Sequence, residues 1–70
     1  MPEMQPVTSS SIASVGYEPT EEAVYIEFNS GATYRYLGVE ESEFHSLVAA
    51  SSVGSFFNEN FKNVYQFEKV

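Results

Sequence analysis

Few residues of this chain could do chemistry, and their spacing argues against catalysis. His45, the only histidine, follows Glu41 by four residues in a predicted helix, which is the spacing of a surface pair rather than of a ligand or a base. The chain has no cysteine and no aspartate, and its glutamates are scattered, so it offers no set of metal ligands. The serines form no nucleophile motif and the glycines no phosphate-binding loop. We therefore expect a chain that is not an enzyme and that binds no cofactor or metal.

Tyr34 and Tyr36 share one face of a predicted strand, and Arg35 lies between them on the other face. The two rings could stack on exposed bases, with Arg35 or Lys62 contacting phosphate. The alternative, which so small a chain favours, is that the rings pack under a helix with their hydroxyls at the rim. Arg35 then points away from the tyrosines, so stacking and a phosphate clamp from neighbouring residues cannot share a surface.

A second group of candidate residues lies towards the C-terminus. Asn58 could present its amide to a ligand, or it could cap or bridge backbone groups near a helix start, which is the commoner use of asparagine there. The complete candidate interaction surface consists of Tyr34, Arg35, Tyr36, Phe57, Asn58, Lys62 and Tyr65.

The acidic balance of the chain weighs against general binding of nucleic acid. Ten glutamates outnumber Arg35, Lys62 and Lys69, for a formal net charge of −7. Proteins that bind nucleic acid neutralise phosphates mainly with Lys and Arg, so RNA is a disfavoured partner. A charge this far from zero favours solubility, and the alternative is that it steers a basic partner. We expect no membrane association and a cytoplasmic location.

The stretch Ala23–Leu37 is predicted to form a β-hairpin. In its first arm apolar residues alternate with Tyr25 and Glu27, as in a strand with one buried face. Asn29 and Gly31 tolerate the positive φ of a short turn. The segment Ser11–Tyr17 is predicted to add a first strand, with a bulge at Gly16. These three strands would form an antiparallel meander.

Residues 1–6 show no periodic pattern and are predicted to be a disordered lead to a single domain over residues 7–70. After the hairpin, the apolar residues of Phe44–Val48 recur at helical spacing, and Gly54 is predicted to end this amphipathic helix. Ser55 is predicted to cap a shorter helix that runs through about Lys62. The tail Tyr65–Val70 alternates again and predicts a last strand.

Together these elements predict an α+β fold: a three-stranded antiparallel β-meander, an amphipathic helix packed on one face, a short second helix and a C-terminal strand. An exposed edge strand would allow a monomer or a weak homodimer. The predicted core consists of Ile12, Val15, Val24, Ile26, Phe28, Phe44, Leu47, Val48, Phe57 and Phe61.

Three motifs in order resemble the KTSC domain family, and the match covers nearly the whole chain from about Val7. That family is named for a domain at the C-terminus of some lysyl-tRNA synthetases and includes small bacterial and phage-type proteins. RNA binding is what the synthetase context implies. The motifs are Ser10–Ile12 with Val15–Tyr17, Phe28–Gly31 with Tyr34–Tyr36, and Ser52–Asn58 with Phe61, Lys62 and Tyr65.

Two functions stay open. The favoured one is a non-catalytic interaction module that docks on a partner protein through aromatic surface of the sheet or through Gly54–Asn58. The other is an RNA-binding or tRNA-binding module in which Tyr34, Arg35, Tyr36 and Lys62 make the contacts. Salt separates them, because phosphate contacts predict an affinity that falls steeply as salt rises.

Overall fold

A five-stranded antiparallel sheet carries two helices on one of its faces. The computed structural model describes residues 1–70. The strands lie side by side in the order of the chain, and both helices come between β4 and β5 in sequence. The elements are β1 (Gln5–Pro6), β2 (Ile12–Glu18), β3 (Ala23–Phe28), β4 (Thr33–Leu37), α1 (Glu41–Ala49), α2 (Val53–Asn60) and β5 (Phe67–Lys69).

The α+β class is confirmed, but the predicted three-stranded sheet was too small. The meander of β2, β3 and β4 gains one strand at each edge. β1 has only two residues, one of them proline, so no alternation reveals it in the sequence; it pairs with Ser14 and Val15. The sheet therefore begins inside residues 1–6, which were predicted to be disordered. β5 returns after the helices and pairs Phe67 with Tyr36 and Lys69 with Tyr34.

The hairpin predicted over Ala23–Leu37 is β3–β4. Gly31 has a φ of 99°, a conformation that glycine adopts without steric cost, and its N–H donates to the carbonyl oxygen of Phe28 at 2.9 Å. Val24 pairs with Tyr36 and Ile26 with Tyr34. Since paired residues of neighbouring strands lie on the same face, these four side chains face the helices together.

The predicted bulge at Gly16 was wrong. The irregular register of β2 lies between Ile12 and Ser14, and Gly16 pairs normally with Tyr25. Gly16 has another role, because a Cβ atom there would lie 2.7 Å from the carbonyl oxygen of Glu3. A side chain at this position would therefore collide with the N-terminal segment, which crosses this part of the sheet.

Both predicted helices are present, but their junction differs from the expectation. α1 ends at Ala49, and Ala50 is already extended, so Gly54 does not end α1; it is the second residue of α2. The cap of α2 is Ser52 rather than Ser55: the Ser52 hydroxyl oxygen accepts the Ser55 N–H at 3.3 Å. Serine is a favourable N-cap residue at either position, so the sequence alone did not distinguish Ser52 from Ser55.

The core lies between the helices and the sheet. Phe28 and Val48, predicted to be in the core, are half-buried at its edge. Val39 and Val53 belong to the core but were not predicted, since Val39 lies in the loop before α1 and Val53 is the first residue of α2. Tyr36 was missing from the predicted core, but its position agrees with the favoured alternative that the tyrosine rings pack under a helix. Neither helix is long and apolar enough to cross a membrane. The buried cluster contains Ile12, Val15, Val24, Ile26, Tyr36, Val39, Phe44, Leu47, Val53, Phe57 and Phe61.

Candidate interaction surface

Five aromatic rings form a closed circuit on the helix-facing side of the sheet. Neighbouring rings around the circuit have centroids 5.3 to 5.8 Å apart, within the range of favourable edge and offset contacts. Strands β3, β4 and β5 supply four of the rings and α2 supplies the fifth. In order around the circuit the residues are Phe28, Tyr34, Phe67, Tyr36 and Phe57.

These five rings line an open groove of about 430 Å³, which we call the aromatic groove. Its polar rim is formed by Ser11, Asn58, Lys62 and Asn63. The groove brings together five of the seven residues proposed from the sequence, and it adds Phe28 and Phe67. Sequence reasoning missed Phe67 because its position depends on the long-range pairing of β5 with β4. The five residues from the predicted set are Tyr34, Tyr36, Phe57, Asn58 and Lys62.

The two tyrosines of β4 differ in exposure. Tyr36 is only 4% exposed, and its ring packs against Phe57 and Phe61 beneath α2. Burial, reinforced by the nearby Tyr34, raises the pKa of the Tyr36 hydroxyl. Tyr34 is half-buried and borders the groove. Tyr36 therefore supports the floor of the groove, and Tyr34 is the tyrosine that a ligand can reach.

Arg35 lies on the opposite face of the sheet, away from the aromatic groove. Its guanidinium donates to the Tyr25 hydroxyl at 3.3 Å and lies 5.9 Å from the centre of that ring. The same guanidinium pairs with Glu21 at 3.5 Å and with Glu68. Because two carboxylates already surround it, Arg35 cannot serve the groove as a phosphate contact.

Tyr65 and Asn58 also lie differently from their predicted places. The Tyr65 ring packs 5.2 Å from that of Phe61, and burial, with smaller effects of Glu43 and Glu40, raises the pKa of the Tyr65 hydroxyl. Tyr65 thus packs against Phe61 and does not line the groove. Asn58 lies past the middle of α2, so it does not cap the helix start. Its exposed side chain borders the groove instead.

His45 is a surface residue of α1, as its spacing predicted. The ring is 69% exposed, and its Nε2 atom lies 3.6 Å from the Glu41 carboxylate one turn earlier. No group of three or more side chains able to hold a metal ion occurs in the chain.

The charges of the chain are segregated along the sheet. Most glutamates gather where the β2–β3 turn meets the start of α1, and the Val39 N–H donates to the Glu22 carbonyl oxygen there at 2.8 Å. At this end burial raises the pKa of the Tyr17 hydroxyl, and the negative charges of Glu22, Glu41 and Glu40 raise it further. The glutamates concerned are Glu18, Glu21, Glu22, Glu40, Glu41 and Glu43.

The two lysines lie towards the other end, beside the aromatic groove. Lys62 lines the groove, and Lys69 pairs directly with Tyr34 and so shares its face. Neither lysine forms an ion pair, and no glutamate lines the groove. The lining of the groove therefore carries one positive charge, that of Lys62, and no carboxylate, although the whole chain is acidic.

Comparison with known proteins identifies the family. The model of the KTSC domain matches residues 8–65. The chain belongs to the KTSC domain family. The crystal structure of a KTSC domain protein from Yersinia pestis has a TM-score of 0.93 to this chain at 38% identity, covering 97% of this chain and 96% of the other. The resemblance proposed from the three motifs is thus confirmed.

Relatives that are similar to this chain in sequence differ in size. A protein of Tsukamurella paurometabola is 47% identical over 55 residues, which cover 79% of this chain and 82% of the relative. A protein of Stutzerimonas stutzeri is 44% identical over 54 residues, which cover 77% of this chain and 76% of the relative. A lysine–tRNA ligase of Nostoc is 33% identical over 61 residues, which are 87% of this chain but only 11% of the ligase.

Two of the KTSC motifs meet in a polar cleft that sequence reasoning missed. The cleft encloses about 450 Å³ and lies beside the aromatic groove, and Ser11 and Asn58 line both. A Cβ atom at Gly54 would lie 3.2 Å from the Ser9 hydroxyl oxygen, so a glycine allows the two segments to approach. The only sequence signal is the pair of serine-rich runs. The cleft is lined by Thr8, Ser9, Ser10, Ser11, Ser51, Ser52, Gly54, Ser55 and Asn58.

Proposed function

We propose that this KTSC domain is a non-catalytic interaction module whose aromatic groove binds a segment of a partner protein. The observation that carries the proposal is the closed circuit of five rings that lines an open groove. Phe67, one of these rings, is 53% exposed. Aromatic side chains held rigidly at a surface are typical anchors of protein interfaces, because they bury a large apolar area at a small entropic cost. The cytoplasmic location expected from the sequence remains a prediction.

The geometry also supports this function over RNA binding. Stacking on Tyr34 with Lys62 as a phosphate contact is the arrangement that RNA would use, and the kinship with part of a lysine–tRNA ligase favours it. However, Arg35 is engaged on the far face, which leaves two lysines near the groove of a chain with a net charge of −7. That is a small cationic surface for a polyanion.

A selection from a random peptide library, followed by affinity measurements on the purified domain, tests the proposal. We expect the selected peptides to bind the native domain and to bind Phe67→Ala about tenfold or more weakly, since a buried aromatic anchor typically contributes 1 to 2 kcal/mol or more. Val64→Ala is the matched control, because Val64 is 62% exposed and lies outside the groove.

The same domain is tested in parallel with single-stranded RNA of mixed sequence. The proposal would be contradicted if Phe67→Ala left the affinity for the selected peptides unchanged. It would also be contradicted if no peptide bound the domain but RNA did, and Lys62→Ala abolished the binding of RNA.

A further inference from the structure

We propose that the partner segment adds to the free edge of β5 as a sixth strand and carries a carboxylate two residues away from an apolar side chain. This inference rests on the proposed function of the aromatic groove. It assigns the conformation and the chemistry of the partner.

The outer edge of β5 is available for backbone pairing. β5 is the last strand of the sheet, and all three of its residues are exposed. On its inner side the Leu37 N–H donates to the Gln66 carbonyl oxygen and the Val70 N–H donates to the Thr33 carbonyl oxygen, both at 2.9 Å. Hydrogen bonding alternates along an antiparallel strand, so Phe67 and Lys69 direct their N–H and C=O groups outwards. An extended chain can pair with these groups.

The same two residues direct their side chains to the face of the aromatic groove. Phe67 is a member of the ring circuit, and Lys69 lies opposite Tyr34 on that face. Partner residues paired with Phe67 and Lys69 would project to this face as well, and they would be two positions apart. An apolar side chain opposite Phe67 would extend the groove, and a carboxylate opposite Lys69 would meet an unpaired ammonium group.

Charge complementarity selects this occupant. Lys62 and Lys69 form no ion pair, and most glutamates lie at the other end of the sheet. A short acidic segment at β5 therefore lies beside Lys69, next to the groove that Lys62 lines, and away from the acidic end. RNA also brings negative charge, but it has no peptide groups with which to continue the sheet. RNA is accordingly one of the outcomes that the test separates.

A second copy of the chain fits this edge less well. If β5 paired along its whole length with an antiparallel β5 of another copy, its middle residue, Glu68, would lie at the centre of the pairing. This pairing places Glu68 directly opposite Glu68 of the second copy, and like charges in that position are destabilising. Self-association through β5 is a further outcome of the test, visible as a concentration-dependent mass in sedimentation.

The experiment compares short capped peptides on one threonine-rich background by NMR titration. The first peptide contains Glu-x-Leu, and the same peptide in the order Leu-x-Glu covers the other strand direction. In one control Gln replaces Glu, and in another Glu and Leu are adjacent. We expect the better of the two spaced acidic peptides to bind about two- to fivefold more tightly than its Gln control, as for an exposed cross-strand charge pair.

Two readouts locate the contact. The Phe67 and Lys69 amides, which point outwards, should shift and become protected from exchange, whereas the Glu68 amide, which already faces β4, should change little. Lys69→Glu should reverse the preference, so that a Lys-x-Leu peptide binds it more tightly than a Glu-x-Leu peptide does. Lys69 is exposed, so this change should leave the fold intact.

The outcomes distinguish the two proposals. If peptides perturb the groove rings but neither spacing nor charge matters, or the outward amides do not respond, the sixth strand is wrong and the interaction module stands. If these peptides leave the groove unperturbed but library-selected peptides perturb it, only the sixth strand is wrong; if no peptide of either kind perturbs the groove, both proposals fail. Binding of RNA alone, or self-association that involves the outward amides, likewise overturns the sixth strand.

Discussion

The guanidinium of Arg35 pairs with the Glu68 carboxylate across β4 and β5, on the face of the sheet opposite Tyr34 and Tyr36. This contact joins the last strand to the hairpin, and it removes the only arginine from the surface that the tyrosines share. The aromatic residues of β4 and the charge between them thus serve different faces. Tyr34 and Tyr36 belong to the aromatic groove, and Arg35 holds β5 at its edge.

Replacement of Arg35 by methionine should affect stability and ligand binding differently. The change removes the contacts with Glu21, Tyr25 and Glu68, so we expect a lower urea midpoint and faster amide exchange in β5. The affinity for a groove ligand should change by less than about threefold, because a residue outside the interface contributes little directly. A loss of affinity greater than that from Phe67→Ala, with β5 still ordered, would place Arg35 in the binding surface.

Gly16→Ala should detach the N-terminal segment from the sheet. The added Cβ would lie 2.7 Å from both the Glu3 carbonyl oxygen and the Met4 Sδ atom, so the segment must move. We expect a loss of about 1 to 3 kcal/mol in the free energy of unfolding, as for other overpacked sites. Gly54→Ala is the comparison, because there the nearest atom, the Ser9 hydroxyl oxygen, is farther away at 3.2 Å and alanine favours a helix, so the loss should be smaller.

Deletion of residues 1–4 provides a second check on Gly16. Without those residues, alanine at position 16 has no neighbour to displace, so its cost should fall below about 0.5 kcal/mol. If the full cost of Gly16→Ala persisted in the shortened chain, the segment would not be its cause.

Ser52→Ala should destabilise α2 more than Ser55→Ala does. The Ser52 hydroxyl oxygen accepts the Ser55 N–H, whereas the Ser55 side chain only accepts the hydroxyl proton of Ser52. Loss of an N-cap costs about 0.5 to 2 kcal/mol, so urea denaturation can resolve the two variants. If Ser55→Ala destabilised the domain more than Ser52→Ala does, Ser55 would be the N-cap of α2.

Alkaline pH should weaken the fold through the buried tyrosines. Burial raises the pKa of Tyr36 above its ordinary value of 10.0, so the native state favours the neutral hydroxyl more than the unfolded chain does. This contribution is complete below that ordinary value and is lost as the pH rises through the higher native pKa. Denaturation between about pH 8 and pH 11 should show the decline.

Tyr36→Phe tests the source of that decline. The variant lacks the ionisable hydroxyl, so its stability should fall less steeply with pH, although Tyr17 and Tyr65 also have raised pKa values. An equally steep fall in the variant would show that Tyr36 does not contribute.

Local patterns predicted those parts of the molecule that local forces determine. Alternation identified β3 and β4, and helical spacing identified the buried Phe44 and Leu47. The predicted end of α1 was wrong because glycine is common both after the last turn of a helix and where two segments approach closely. Here Gly54 lies within α2 and allows the close approach of Ser9. The sequence contains no local signal that separates these two uses.

The candidate surface could be predicted only in part for the same reason. Tyr34, Tyr36 and Lys62 were chosen by type and spacing, and the structure places them around one groove. Phe67 joins them only because β5 returns to β4 after both helices, which is a long-range pairing. Arg35 was included although strand alternation already placed it on the other face.

The most direct test of the central claim is one amide-resolved NMR titration of the domain, made with library-selected peptide and with single-stranded RNA at about 50 and about 200 mM salt. The account predicts that peptide shifts the signals of Tyr34, Phe57, Lys62 and Phe67, with affinity falling less than about threefold over this range. RNA held by two lysines would weaken by about sevenfold. The account would be contradicted if only RNA shifted these signals and its affinity fell by about sevenfold between the two salt concentrations.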